Sequence, residues 1–146
     1  MDELVPSDVR QQVFEFEEWV RTLAPVEFPL RHFFAPGVYA RELTIPAGTA
    51  LTGQIHKYVT LNILSQGEMS VLTHEGVKRV SAPFTIVSPP GTKRAAIAHT
   101  KCVWTTIHGT DETDLEKIEE HFIAQTEQEY LEFCKVLEIG DGTCRG

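Results

Sequence analysis

Apolar and polar residues alternate with a period of two through the middle of the chain, while both ends carry the three- and four-residue spacing of helices. Val9, Val13, Phe16, Val20 and Leu23 make one stripe, bordered by Trp19. Ser7 stands where it can cap the first turn, Asp8 suits the positive end of the helix dipole, and Pro25 ends the run, so a helix is predicted over residues 7–24. Its stripe packs on the sheets or faces a partner. Residues 25–37 hold three prolines and a glycine and read as an extended approach, in which Arg31 and His32 are ordinary residues. Val38–Ile45 is then a strand whose inward face the pattern leaves open.

Leu51 to Leu64 is rich in β-branched, aromatic and aliphatic residues, as paired strands require. Gln54, His56, Tyr58 and Thr60 share one face there, and Ile55, Lys57, Val59 and Leu61 share the other. Further strands are predicted over 67–73, 77–80, 84–87, 92–98 and 102–108. Turn signals at His74-Glu75-Gly76 and Ser88-Pro89-Pro90-Gly91 separate them, with His74 a solvated turn residue. Cys102, Trp104, Thr106 and His108 share a face of the last strand. Thr113-Asp114-Leu115-Glu116 has the capping-box pattern, and an apolar face from Leu115 to Leu137 is interrupted at residues 125–129, so one helix or two both fit residues 113–138. The glycine-rich end, 140–146, is predicted to fray and to expose Cys144. Short strands in succession without helices between them point to an antiparallel sandwich or barrel rather than a parallel α/β sheet.

The spacing carries a resemblance. Gly48, Gln54, His56, Thr60 and Gly67 fall at the intervals of G(x)5HxH(x)3E(x)6G, and Pro89, Gly91, Arg94 and Ala98 at those of PxG(x)2H(x)3N. These are the two motifs of the cupin superfamily, which the chain resembles over about residues 38–108; it is also similar to uncharacterised cupin-like proteins of bacteriophages. The resemblance implies a mainly β fold, a single antiparallel cupin-type β-barrel (jelly roll) with N-terminal and C-terminal flanking helices, in one domain spanning 1–146. Of the four positions that bind metal in the family only His56 keeps its ligand; the others are Gln54, Thr60 and Arg94. A homodimer is expected, because relatives pair and because Trp19, Phe122, Tyr130 and Phe133 exceed the aromatic needs of one small barrel.

Composition narrows the alternatives. Thirteen Lys plus Arg against 21 Asp plus Glu give a net charge of −8, which argues against nucleic acid or an anionic membrane as the main partner. No segment approaches the roughly 18 apolar residues of a membrane span, and no basic, apolar leader opens the chain. The three cysteines form neither a disulfide framework nor closely spaced zinc pairs, so reduced thiols in a cytoplasmic protein are expected.

The candidate chemistry gathers on few residues. His56 could ligate iron, nickel, zinc or manganese, with His99 or His108 as a second imidazole, yet amide and hydroxyl oxygens at Gln54 and Thr60 are weak ligands and Arg94 repels a cation. Arg94 is costly inside a small barrel unless a carboxylate satisfies it. Either an internal pair, with Glu42 or Glu68, or an anionic ligand can do so. Lys57 and Lys93 alternate to the solvated face. Trp104 is core packing or a platform for a planar ligand. The expected ligand set is Gln54, His56, Tyr58, Thr60, Arg94, Trp104 and His108; no catalytic residue is assigned. Three functions follow: a cofactor-free cavity for a small, anionic molecule; a metal-dependent dioxygenase, isomerase or lyase; and a structural or interaction scaffold.

Overall fold

The structure, a computed structural model, describes residues 7–73 and 75–140, with side chains from Val9 to Leu137 apart from residue 74. The readings placed on His74, on Cys144 and the end of the chain, and on the Ser7 cap therefore lie outside the described residues.

Helix α1 (Ser7–Val20) is followed by strands β1 (Leu30–Ala35), β2 (Val38–Ile45), β3 (Ala50–Thr52), β4 (Ile55–His56), β5 (Thr60–Gln66), β6 (Glu68–Thr73), β7 (Gly76–Ser81), β8 (Phe84–Ser88), β9 (Ala95–Ala98) and β10 (Cys102–Gly109). Helix α2 (Leu115–Phe122), the short β11 (Ile123–Ala124) and helix α3 (Glu127–Gly140) complete the chain. The C-terminal segment is thus two helices. Asp114, not Thr113, caps α2, its carboxylate accepting from the backbone N–H groups of Glu116 and Lys117. The Pro-rich approach is itself a strand, paired antiparallel with β2 from Leu30↔Leu43 to Ala35↔Val38.

The strands form a five-stranded sheet, β1-β2-β10-β5-β8, facing a four-stranded sheet, β3-β9-β6-β7, with β4 and β11 paired at one end. Every pairing is antiparallel. The sheets do not close into a barrel, which corrects the closed arrangement expected from sequence. Most strands need to bury only one face, and two facing sheets with free edges at β7 and β8 allow this without closure, while the edge strand β1 is exposed along its length. Between them Ile45, Leu64, Met69, Val71, Ala98 and Cys102 form the core.

The termini cover this frame. Phe122, Tyr130 and Phe133 pack on the chain's own core with Ile55, Tyr39, Ala124 and Cys134, so they need no second subunit; of the four aromatics read as surplus, Trp19 stays half exposed. Helix α1 lies over β3 and buries Lys93, which was expected in solvent: its Nζ donates to the Gly53 carbonyl at 2.6 Å and meets Glu17 at 3.3 Å. Burial lowers the Lys93 pKa, and Glu17 opposes that shift. Arg10, fully buried, reaches from α1 to Glu127 of α3 at 2.7 Å and donates to the Gly91 carbonyl at 3.3 Å. Cys102 is buried and free. Among the described residues no helix is long and apolar enough to cross a membrane.

Candidate functional site

The two motif segments are joined by their main chains. His56 N–H donates to the Thr92 carbonyl at 3.0 Å, Gly91 N–H to the His56 carbonyl at 2.8 Å, and Gly53 N–H to the Arg94 carbonyl at 2.9 Å. A tight turn at Gly91, with φ +85°, makes this approach feasible. Beside the junction lies a cavity of about 660 Å³. Its polar floor comes from inward residues of the five-stranded sheet, Thr60 and Asn62 of β5, Ser88 of β8, and Thr106 and His108 of β10; its apolar wall includes Leu43, Ile45, Met69 and Trp104.

The floor is a connected network. Asn62 donates through Nδ2 to Ser88 Oγ at 2.8 Å and to Thr60 Oγ1 at 3.2 Å, and its Oδ1 accepts from Thr106 at 2.9 Å. Arg94 Nη2 donates to Ser88 Oγ, and the guanidinium lies 5.9 Å from the Trp104 ring centre. No carboxylate pairs with Arg94 among the described residues: Glu42 meets Arg31 at 3.6 Å and Glu68 meets Arg79 at 2.8 Å, so neither is the internal partner weighed for it. Burial alone brings its pKa down to about 10. Among the described residues Glu119 is the one carboxylate lining the cavity, and it accepts from Gln125 at 3.0 Å.

His56 and His108 stack with ring centres 5.9 Å apart, and Tyr39 also stacks on His108, at 5.8 Å. Nδ1 of both imidazoles is buried without a hydrogen-bond partner. Both pKa values are pushed down to about 4, chiefly by burial; His108, Arg94 and Arg41 add to the effect at His56, and Arg41 adds to it at His108. Between pH 4 and 6.5 the unfolded chain binds protons at these positions that the folded chain excludes. Stability from this source is complete above about pH 6.5 and is lost as pH falls towards 4. The expected loss is roughly 2–3 kcal/mol for each imidazole by pH 4, and urea titrations at several pH values should show a shallower acid limb in the His56→Asn/His108→Asn variant.

The cavity brings together Gln54, His56, Thr60, Arg94, Trp104 and His108 of the expected set. Tyr58 is elsewhere. The chain bends at residues 57–58, breaking the alternation, and Tyr58 packs on His121, Phe122 and Phe133. His99 is exposed on the β9–β10 connection, bonded through Nε2 to Ser70 Oγ at 2.7 Å, and does not line the cavity. Residues not singled out from sequence also line it: Asn62, Ser88, Thr106, Tyr39, Arg41 and His32, the last at 2.7 Å from the Tyr39 hydroxyl. Continuing the alternation from Thr60 would have reached Asn62, but Arg41 and Tyr39 required knowing which face of β2 turns inward.

These donors fit a metal poorly. Two imidazoles face each other, but Gln54 and Thr60 offer neutral oxygens, and Arg94 and Arg41 set positive charge nearby. Among the described residues no group of three or more His, Cys, Asp or Glu side chains is placed to hold an ion.

No family model matches the sequence, and no curated protein matches it. Solved structures do. An ectoine synthase from P. lautus superposes with TM-score 0.53 at 14% identity, covering 71% of this chain and 79% of its own. A cupin domain from Bordetella pertussis gives TM-score 0.47 at 16% identity, covering 60% of this chain and 98% of its own. A cupin superfamily protein from Desulfitobacterium hafniense gives 0.47 at 13% identity, covering 63% and 87%. With two facing antiparallel sheets, and both motif segments meeting at one cavity between them, the chain has the cupin fold.

Proposed function

We propose that the chain binds a small organic anion in the 660 Å³ cavity without a metal centre. What supports this reading is Arg94, a half-buried guanidinium beside a satisfied hydroxyl–amide network and paired with no carboxylate among the described residues. A buried cation without a counter-charge is costly, and an anionic ligand removes that cost through charge-assisted hydrogen bonds. The two neutral imidazoles add polar atoms able to receive or, once protonated, to hold such a ligand.

The facing imidazoles of His56 and His108 are the observation that favours the second reading, a metal-dependent enzyme. The cations beside them weigh against it. Arg94→Met separates these readings from a purely structural role. With the anion reading correct, thermal unfolding should change little, because the uncompensated charge leaves with the side chain, while binding in a screen of carboxylates and phosphorylated metabolites should weaken by roughly 2–5 kcal/mol. A large loss of stability with no ligand found in the parent chain would reject it, and stoichiometric metal lost on His56→Ala would support the enzyme.

A further inference from the structure

Beyond Arg94 the two sheets part. β8 turns Phe84 and Ile86 inward, and β6 and β7 oppose them with Val71 and Val80, but these side chains enclose a second space of about 630 Å³ along the unjoined edge. The space is open at its rim and mostly apolar, with Lys78 and Glu75 at its edge, and a groove of this size between sheets is suited to an apolar guest. Its rim carries Val59 and Val87, exposed by 59% and 62%. Val71, Thr92, Arg94 and Trp104 line both this space and the polar cavity. The guanidinium therefore stands where an apolar chamber meets a polar one.

We propose that the ligand is an amphiphilic carboxylate, its head group at Arg94 and its hydrocarbon chain between β8 and the β6–β7 hairpin. This deepens the anion reading and rests on it. Arg94 presents one planar fork, part of it engaged by Ser88; Arg41 lines the polar cavity without a bond to that network, and the two lysines that line the second space are engaged elsewhere, Lys78 by Glu75 and Lys93 by Glu17 and the Gly53 carbonyl, so a singly charged planar carboxylate matches the fork better than a phosphate dianion. The apolar wall supplies the second half of the recognition. Trp104 covers the step between them, touching both chambers and lying beneath the guanidinium.

The test is calorimetric titration of the whole chain with acetate, butyrate, hexanoate, octanoate and decanoate, beside the n-alcohols of matching length. Affinity should rise roughly three- to fourfold per added methylene, the equivalent of about 0.8 kcal/mol for each buried CH₂, and the alcohols should bind far more weakly. Ile86→Trp, which fills the space, should flatten the chain-length dependence; Val80→Phe gives the same readout from the opposite wall should the first variant fail to fold. Binding of the short carboxylates that depends on Arg94 but shows no gain with length would overturn the amphiphile and leave the anion reading intact. Alcohols binding as tightly as acids, with no effect of Arg94→Met, would overturn the head-group assignment. Absence of binding by every carboxylate would overturn the amphiphile, and absence of binding by the phosphorylated metabolites as well would remove the anion reading.

Discussion

Gly67→Ala should cost the fold roughly 2–5 kcal/mol, a large share of what holds a domain of this size together. Gly67 joins β5 to β6 with φ +95°, a conformation that a side chain resists. A Cβ there would also lie 2.3 Å from the Lys101 carbonyl oxygen and 2.9 Å from Cys102 Cα, both main-chain atoms that cannot swing aside. Gly48 supplies the control, since its φ is +78° but nothing lies within 4 Å of the place a methyl group would take. Gly48→Ala should therefore cost only the backbone term of about 1–2 kcal/mol. Chemical denaturation of the two variants separates the contributions: equal losses would mean that the chain relaxes around Gly67 and that the contact with the β9–β10 connection is soft.

Arg10→Met should cost about 2–4 kcal/mol. The guanidinium is fully buried, holds Glu127 through Nε at 2.7 Å and Nη2 at 2.9 Å, lies 4.7 Å from the Tyr130 ring centre and donates to Gly91. Removing one member of a buried pair leaves the other charge unpaired; Glu127 retains 34% side-chain exposure and can recover part of its hydration, which lowers the figure from the usual 3–5 kcal/mol. Replacing Glu127 with methionine as well should restore a measurable part of the stability in a double-mutant cycle. If the second change adds its own full cost instead, the pair is not the source of the stabilisation.

Much of the frame was legible because its signals are local. Val38–Ile45 is a strand over the predicted residues, and the motif intervals place His56 and Arg94 beside one cavity because those intervals encode turns at Gly48, Gly67 and Gly91, each of which adopts positive φ. The errors arise where a distant part of the chain decides. Tyr58 leaves the cavity because two residues of β4 pair with β11, after which the chain bends towards α2 and α3. Lys93 is buried because α1, far away in sequence, lies over it with Phe14 4.6 Å from its nitrogen. Whether β7 and β8 join depends on register across sheets, and alternation within a strand carries no record of that.

The Arg10 junction also bears on how the chain reaches this state. It brings together residues 10, 91 and 127, so the first helix, the turn before Arg94 and the last helix close in one contact spanning 117 positions of sequence. Closing so long a loop costs chain entropy before it returns any stabilisation, which places the junction among the high-contact-order features that slow folding. Helix α1 cannot be secured by neighbours in sequence alone; its docking is linked to that of α3 and to the turn that presents Arg94, and opening of one end of the chain loosens the other through the same side chain.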